Sequence, residues 1–181
     1  MSILEIIATI TGAIGVWLTI KENIWCWPVS IISVCTSALV FYEQRLFGDM
    51  GLQVFYFGAA IYGWYFWNKG KTQAFKVEKT PLKLIPVLII ITVILAVGFY
   101  FLIDLLKGDK ALFDAILTAA SLTATYMMTK KWVENWFAWV LIDGAYVALY
   151  GIKFLWGFAA LYLLFTLMAF YGWIKWKKAA L

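Results

Sequence analysis

Residues 21–67, shifted by 109 positions, align without a gap on residues 130–176. Lys21 then meets Lys130, Trp27 meets Trp136, Leu46 meets Leu155, Gly48 meets Gly157 and Leu52 meets Leu161. Ala60 meets Ala169, and Tyr62, Gly63, Trp64 and Trp67 meet Tyr171, Gly172, Trp173 and Trp176. A duplicated unit implies a duplicated fold, and two copies in one membrane chain usually flank a ligand path.

The bilayer is the expected solvent. Of 181 residues, 65% are hydrophobic and 14% charged, too little polar surface to coat a soluble globule of this size. Residues 2–20 are too evenly apolar for a cleavable signal and read as a first membrane span. Cys26 and Cys35 sit nine residues apart, roughly 13 Å of rise along one helix, which is too far for a disulfide. The chain has no histidine, which removes Cys/His metal sites, the usual catalytic triads and the usual proton switch. Without a nucleophile–base pair or a glycine-rich phosphate loop, neither an enzyme nor a nucleic-acid binder is expected, and no cofactor or metal is implied.

Seven apolar stretches are long enough to cross a bilayer: about 3–20, 27–46, 50–67, 82–106, 111–129, 136–155 and 157–176. Basic residues set the orientation. With the N-terminus outside, the inner loops and tail hold Lys21, Lys69, Lys71, Lys76, Lys79, Lys83, Lys130, Lys131, Lys175, Lys177 and Lys178. The outer side then holds only Arg45, Lys107, Lys110 and Lys153, so the C-terminus is expected in the cytoplasm. Each copy has three spans, and the unduplicated span 82–106 restores the direction of the second triplet. The expectation is an all-α membrane protein with a parallel 3+1+3 repeat about an axis along the membrane normal. Its divisions are a first repeat at 1–68, a cytoplasmic loop at 69–81, a linker helix at 82–106 and a second repeat at 107–181.

The sixth span is the least lipid-like. Trp136, Trp139, Asp143, Tyr146, Tyr150 and Lys153 follow spacings of three and four, which align them on one helical face. An Asp at a helix centre costs roughly 2.5–3.5 kcal/mol on insertion scales, so it should face protein or water. Aromatic faces around a carboxylate suit a flat organic cation. Aromatic stripes also pack helices or sit at headgroups, and a lone Asp can be protonated and bonded to a nearby hydroxyl. The repeat partners are Trp27, Ser30, Val34, Ser37, Phe41 and Gln44, so the lining is asymmetric on a symmetric scaffold. The third span offers Gln53, Tyr56 and Phe57, opposite Tyr162, Phe165 and Thr166 of the seventh, and the fifth offers Asp114, Thr118, Ser121 and Thr125. Trp64, Trp67, Trp173 and Trp176 read as interface anchors, and Gly12 and Gly15 as close-packing sites.

The stretch Asp49-Met-Gly-Leu-Gln-Val-Phe-Tyr56, followed by Ile61-Tyr-Gly-Trp-Tyr-Phe-Trp67, resembles the third span of the PnuC vitamin transporters. The segment from Lys131 to Trp139, with Glu134-Asn135-Trp136 at its centre and then Asp143, Tyr146 and Tyr150, resembles their sixth-span signature. The resemblance implies a SWEET-like fold and facilitated diffusion of a vitamin precursor across the bacterial inner membrane, followed by phosphorylation that traps it. It implies Trp136, Trp139, Asp143 and Tyr146, with Gln53 and Tyr56, as lining; Trp27, Ser37, Asn135 and Tyr150 complete the candidate set. Nicotinamide riboside is favoured, with thiamine nearly equal and riboflavin as an alternative. Some carriers of nicotinamide riboside have Asn where this chain has Asp143. A vitamin-binding subunit of an energy-coupled uptake complex is the competing class. Exposed aromatic helix faces permit self-association, so a homo-oligomer is expected.

Overall fold

A computed structural model describes residues 3–43, 47–69, 76–105, 111–152, 154 and 156–180. The expectations placed on Gln44, Arg45, Leu46, Lys71, Lys107, Lys110 and Lys153 fall outside those residues. Among the described residues there are seven α-helices: α1 (Ile3–Ile20), α2 (Cys26–Glu43), α3 (Phe47–Lys69), α4 (Ile85–Leu105), α5 (Ala111–Thr129), α6 (Glu134–Ile152) and α7 (Trp156–Ala179). A 3₁₀ turn, Leu82–Leu84, leads into α4.

Four of these stretches are long and apolar enough to cross a membrane: Ile3–Ile20, Cys26–Glu43, Leu82–Leu105 and Trp156–Ala179. The sequence reading expected seven. At 23, 19 and 19 residues, α3, α5 and α6 have the length, but their tyrosines, tryptophans, hydroxyls and acids dilute the apolar character.

The chain divides into two compact units, Met1–Lys76 and Val77–Leu181. In the first, α2 is the middle helix, packed on α1 and on α3. Small residues let α1 approach: a Cβ on Gly15 would stand 2.9 Å from the Ser30 hydroxyl, and one on Gly12 would stand 3.2 Å from that of Ser33. Ser33 donates to the Ala8 carbonyl across the same seam at 2.9 Å. The close-packing role expected of the two glycines is met. Cys26 is buried and Cys35 exposed on α2, and neither forms a disulfide.

In the second unit each helix packs on its neighbour in the chain, α4 on α5, α5 on α6 and α6 on α7. None of the residues of α4 is buried, as suits an apolar helix facing lipid. Its polar tie to α5 is a hydrogen bond between the hydroxyls of Thr92 and Thr123 at 2.7 Å. Interhelical bonds of this kind average about 0.6 kcal/mol, because each threonine can turn to its own backbone instead. Thr92→Val should therefore lower the stability of the purified protein by about 0.6 kcal/mol, and adding Thr123→Val should cost little more. Thermal unfolding in detergent measures both.

The turns entering α2 and α6 are the same turn written twice. Glu22 and Lys131, which are repeat partners, both have φ of 55°, the left-handed conformation that caps a helix. Asn23 N–H donates to the Leu18 carbonyl and Glu22 N–H to that of Thr19; Trp132 and Lys131 donate likewise to Met127 and Met128. Cys26 and Asn135 then donate to Asn23 and Trp132, opening the next helix in each case. Lys21 lies over the Trp17 ring at 5.0 Å, and Lys130 over its counterpart Tyr126 at 5.7 Å.

The second turn has an addition. Glu78 and Trp132 form a parallel β-bridge, with Glu78 N–H donating to Lys131 and Val133 N–H donating to Glu78. Val77 and Thr80 are buried in this strap.

Candidate functional site

The α6 stripe begins with Asn135 and Trp136, fully buried in the helix's first turn. Trp136 lies across Gly172 of α7, where a Cβ would stand 2.7 Å from its ring, and meets Trp176 edge-on with centroids 5.3 Å apart. In the first unit Trp27 lies across Gly63, where a Cβ would stand 2.4 Å from the ring, and meets Trp67 edge-on at 5.2 Å. A glycine notch takes a large ring because no side chain stands in its way. The consequence corrects one expectation. Trp67 and Trp176 are not interface anchors; they are 4% and 0% exposed, each edge-on to the ring held in its notch. Trp64 stands exposed, and Trp173 carries Lys177 over its ring at 5.4 Å.

The notches cover the faces of Trp27 and Trp136 but leave their polar edges without partners. The indole N–H groups of Trp27, Trp136 and Trp139, and the Oδ1 of Asn135, are buried with no hydrogen-bond partner. Asn135 uses its amide nitrogen on the Trp132 carbonyl at 2.6 Å, which leaves the oxygen as the unpaired atom. Each such atom costs about 1–3 kcal/mol unless something pairs with it. Three of them fall within five residues of α6. Asp143 follows on the same helix, 7% exposed, with no hydrogen-bond or ionic partner among the described residues. Two donors, an amide acceptor and a carboxylate are the chemical complement of a cation bearing amide or hydroxyl groups.

Trp136 and Trp139 do not form one stacking platform. Trp136 meets α7, whereas Trp139 packs with Tyr146 against Leu117, Ala124 and Ile142 between α5 and α6. Beyond Asp143 the stripe joins a larger aromatic cluster. Tyr146 stacks on Tyr150 at 6.0 Å, and Tyr162 of α7 lies 4.7 Å from Tyr146 and 5.4 Å from Tyr150. Phe158 stacks on Tyr150 at 5.3 Å, Phe113 of α5 meets Tyr146 edge-on, and Phe165 meets Tyr162. Phe113 and Phe158 were missed from sequence. The α7 spacing of four and three through Phe158, Tyr162 and Phe165 was the available signal.

The α5 stripe spends its hydroxyls locally. Ser121 bonds to the Leu117 carbonyl and Thr125 to that of Ser121, both at 2.8 Å. In the first unit, Gln53 and Tyr56 of α3 and Ser37 of α2 are half-buried. An open groove of about 310 Å³ between α4 and α5 is lined by Ile85, Leu88, Ile89, Thr92, Val93, Thr123 and Met127, with Thr80 and Glu134. It is almost wholly apolar and includes none of the candidate binding residues, so it is not their pocket.

A helical chain with apolar spans and a buried, acid-bearing aromatic face has the build of a multi-pass membrane transporter. A model of the family described as nicotinamide mononucleotide transporter matches residues 2–178, and the chain belongs to that family. It is 27% identical to the nicotinamide riboside transporter PnuC of Escherichia coli K12, over 99% of this chain and 87% of that protein. It is 28% identical to the riboflavin/roseoflavin transporter RibM of Streptomyces davaonensis, over 84% of this chain and 81% of that one. A crystal structure of the vitamin B3 transporter PnuC matches the fold with a TM-score of 0.79 at 20% identity, covering 98% of this chain and 81% of that one. The PnuC resemblance read from the third and sixth spans is borne out.

Proposed function

We propose that this protein carries a cationic vitamin precursor, nicotinamide riboside ahead of thiamine, across the bacterial inner membrane by facilitated diffusion. The observation that carries the reading is the unpartnered carboxylate of Asp143, buried on the same helix as unpaired groups of Asn135, Trp136 and Trp139. Nicotinamide riboside presents a fixed positive ring, a carboxamide and ribose hydroxyls. Asp143 would balance the ring charge, and Trp139 with Tyr146 and Tyr150 would supply the aromatic wall. Asn135 Oδ1 and the Trp136 N–H would pair with the carboxamide, and the family resemblance adds Gln53 and Tyr56 as candidate binding residues of the first repeat. Trp27 and Ser37 complete the set in the first repeat.

The reading extends to seven spans in a SWEET-like parallel 3+1+3 plan, with the N-terminus outside. Transport is uniport by alternating access, and a cytoplasmic kinase traps the product. The RibM relative supports a second reading, riboflavin. Riboflavin carries no fixed charge, so a buried aspartate gives it less.

Counterflow in liposomes tests the reading. Vesicles loaded with unlabelled nicotinamide riboside should accumulate the labelled compound, with or without an ionophore. Failure of both nicotinamide riboside and thiamine to exchange would overturn it, and exchange of riboflavin alone would favour the second reading.

A further inference from the structure

We propose that Glu134 is a positioning residue for the substrate face of α6, acting through the strap at residues 77–80. The inference rests on the reading of that face as the substrate wall. Glu134 stands beside Asn135 and Trp136, yet its carboxylate is engaged elsewhere. Its Oε2 accepts from the Thr80 N–H at 2.7 Å and from the Thr80 hydroxyl at 2.6 Å. Charge-assisted bonds of this length are among the stronger polar contacts, and a carboxylate in the first turn is also favoured by the helix dipole.

The two backbone bonds of the Glu78–Trp132 bridge lie just before this pair, so four hydrogen bonds fasten the strap to one turn. Trp132 links the strap to the site. Its carbonyl accepts both the backbone N–H and the side-chain amide of Asn135. A displaced Trp132 would turn the Asn135 amide and shift the start of α6, where Trp136 sits in its notch.

The first repeat serves as an internal control. Its turn has the same left-handed residue and the same backbone bonds. At the positions of Glu134 and Asn135 it carries Trp25, which is 63% exposed, and Cys26. No strap pairs with that turn among the described residues. The fastening therefore occurs in the copy that carries Asn135 and Asp143.

The test uses the full chain in nanodiscs, with Glu134→Ala, Glu134→Gln and Thr80→Val. Hydrogen exchange of residues 77–80 reads the strap, and calorimetry with nicotinamide riboside reads the site. Glu134→Ala should speed that exchange and weaken binding about tenfold. Glu134→Gln should restore both, since an amide oxygen accepts the same two bonds. Thr80→Val should fall between, and combined with Glu134→Ala should add nothing. Faster exchange with unchanged affinity would overturn the proposal, as would unchanged exchange in Glu134→Ala. Wild-type protein that binds neither nicotinamide riboside, thiamine nor riboflavin would sink the functional reading first, and this proposal with it.

Discussion

Replacing Asp143 with alanine is expected to weaken nicotinamide riboside binding by about 30-fold or more. That figure corresponds to roughly 2 kcal/mol, the lower end of the cost of removing one partner of a buried charge pair. The same substitution should raise the thermal stability of the ligand-free protein. A carboxylate that is 7% exposed and has no partner among the described residues is a burden on the fold, and alanine removes it. Opposite signs for affinity and stability are the mark of a residue kept for its ligand. Asp143→Asn separates the candidate substrates. It retains hydrogen bonding and loses charge, so a cationic vitamin should bind it far less well and riboflavin about as well. Calorimetry on purified protein reads affinity, and thermal unfolding in detergent reads stability. An Asp143→Ala protein with wild-type affinity would remove this residue from the site.

Gly172→Ala should destabilise the protein by about 1–3 kcal/mol, the usual cost of forcing a methyl into a filled core. The added Cβ would stand 2.7, 2.8 and 2.9 Å from three atoms of the Trp136 ring system. Trp136 is 1% exposed with Trp176 against it, so the ring has little room to yield. Gly63→Ala should cost at least as much, because its Cβ would stand 2.4 Å from the Trp27 ring. Gly98→Ala provides the contrast: it lies on α4 with nothing within 4 Å, and alanine there should be neutral or mildly stabilising. Thermal unfolding of the three variants ranks them. If Gly172→Ala unfolded no earlier than Gly98→Ala, the notch would carry no weight. Trp136→Phe should recover part of the loss in Gly172→Ala by shortening the ring.

The helices and their duplication were legible because both follow from local rules. Apolar runs of membrane length make helices, and the 109-residue offset predicts matching turns, which recur down to the left-handed Glu22 and Lys131. The identity of neighbours was less legible. A spacing of three places Trp136 and Trp139 about 60° apart around α6, near enough to count as one face. That angle suffices to send one ring to α7 and the other toward α5. Trp67 and Trp176 sit near helix ends, where tryptophan is usually an anchor. Their burial depends on glycines on their own helices making room for a ring from the next. The strap was invisible in principle, since Thr80 and Glu134 are 54 residues apart and no periodicity joins them. On α6, by contrast, an aspartate in an apolar helix pointed to a residue sheltered from lipid, and Asp143 is buried.

Each glycine notch also restricts how chains of this kind can diverge. Enlarging the glycine alone drives a methyl into an indole, and shrinking the tryptophan alone opens a void beside Trp67 or Trp176. The two positions must change together, one growing as the other shrinks. Residues 27 and 63, and likewise 136 and 172, thus form two coupled pairs, each 36 positions apart in its own repeat. A distant chain of half this length that preserved one such pair would betray the ancestral unit, even where the rest of its sequence had drifted out of recognition.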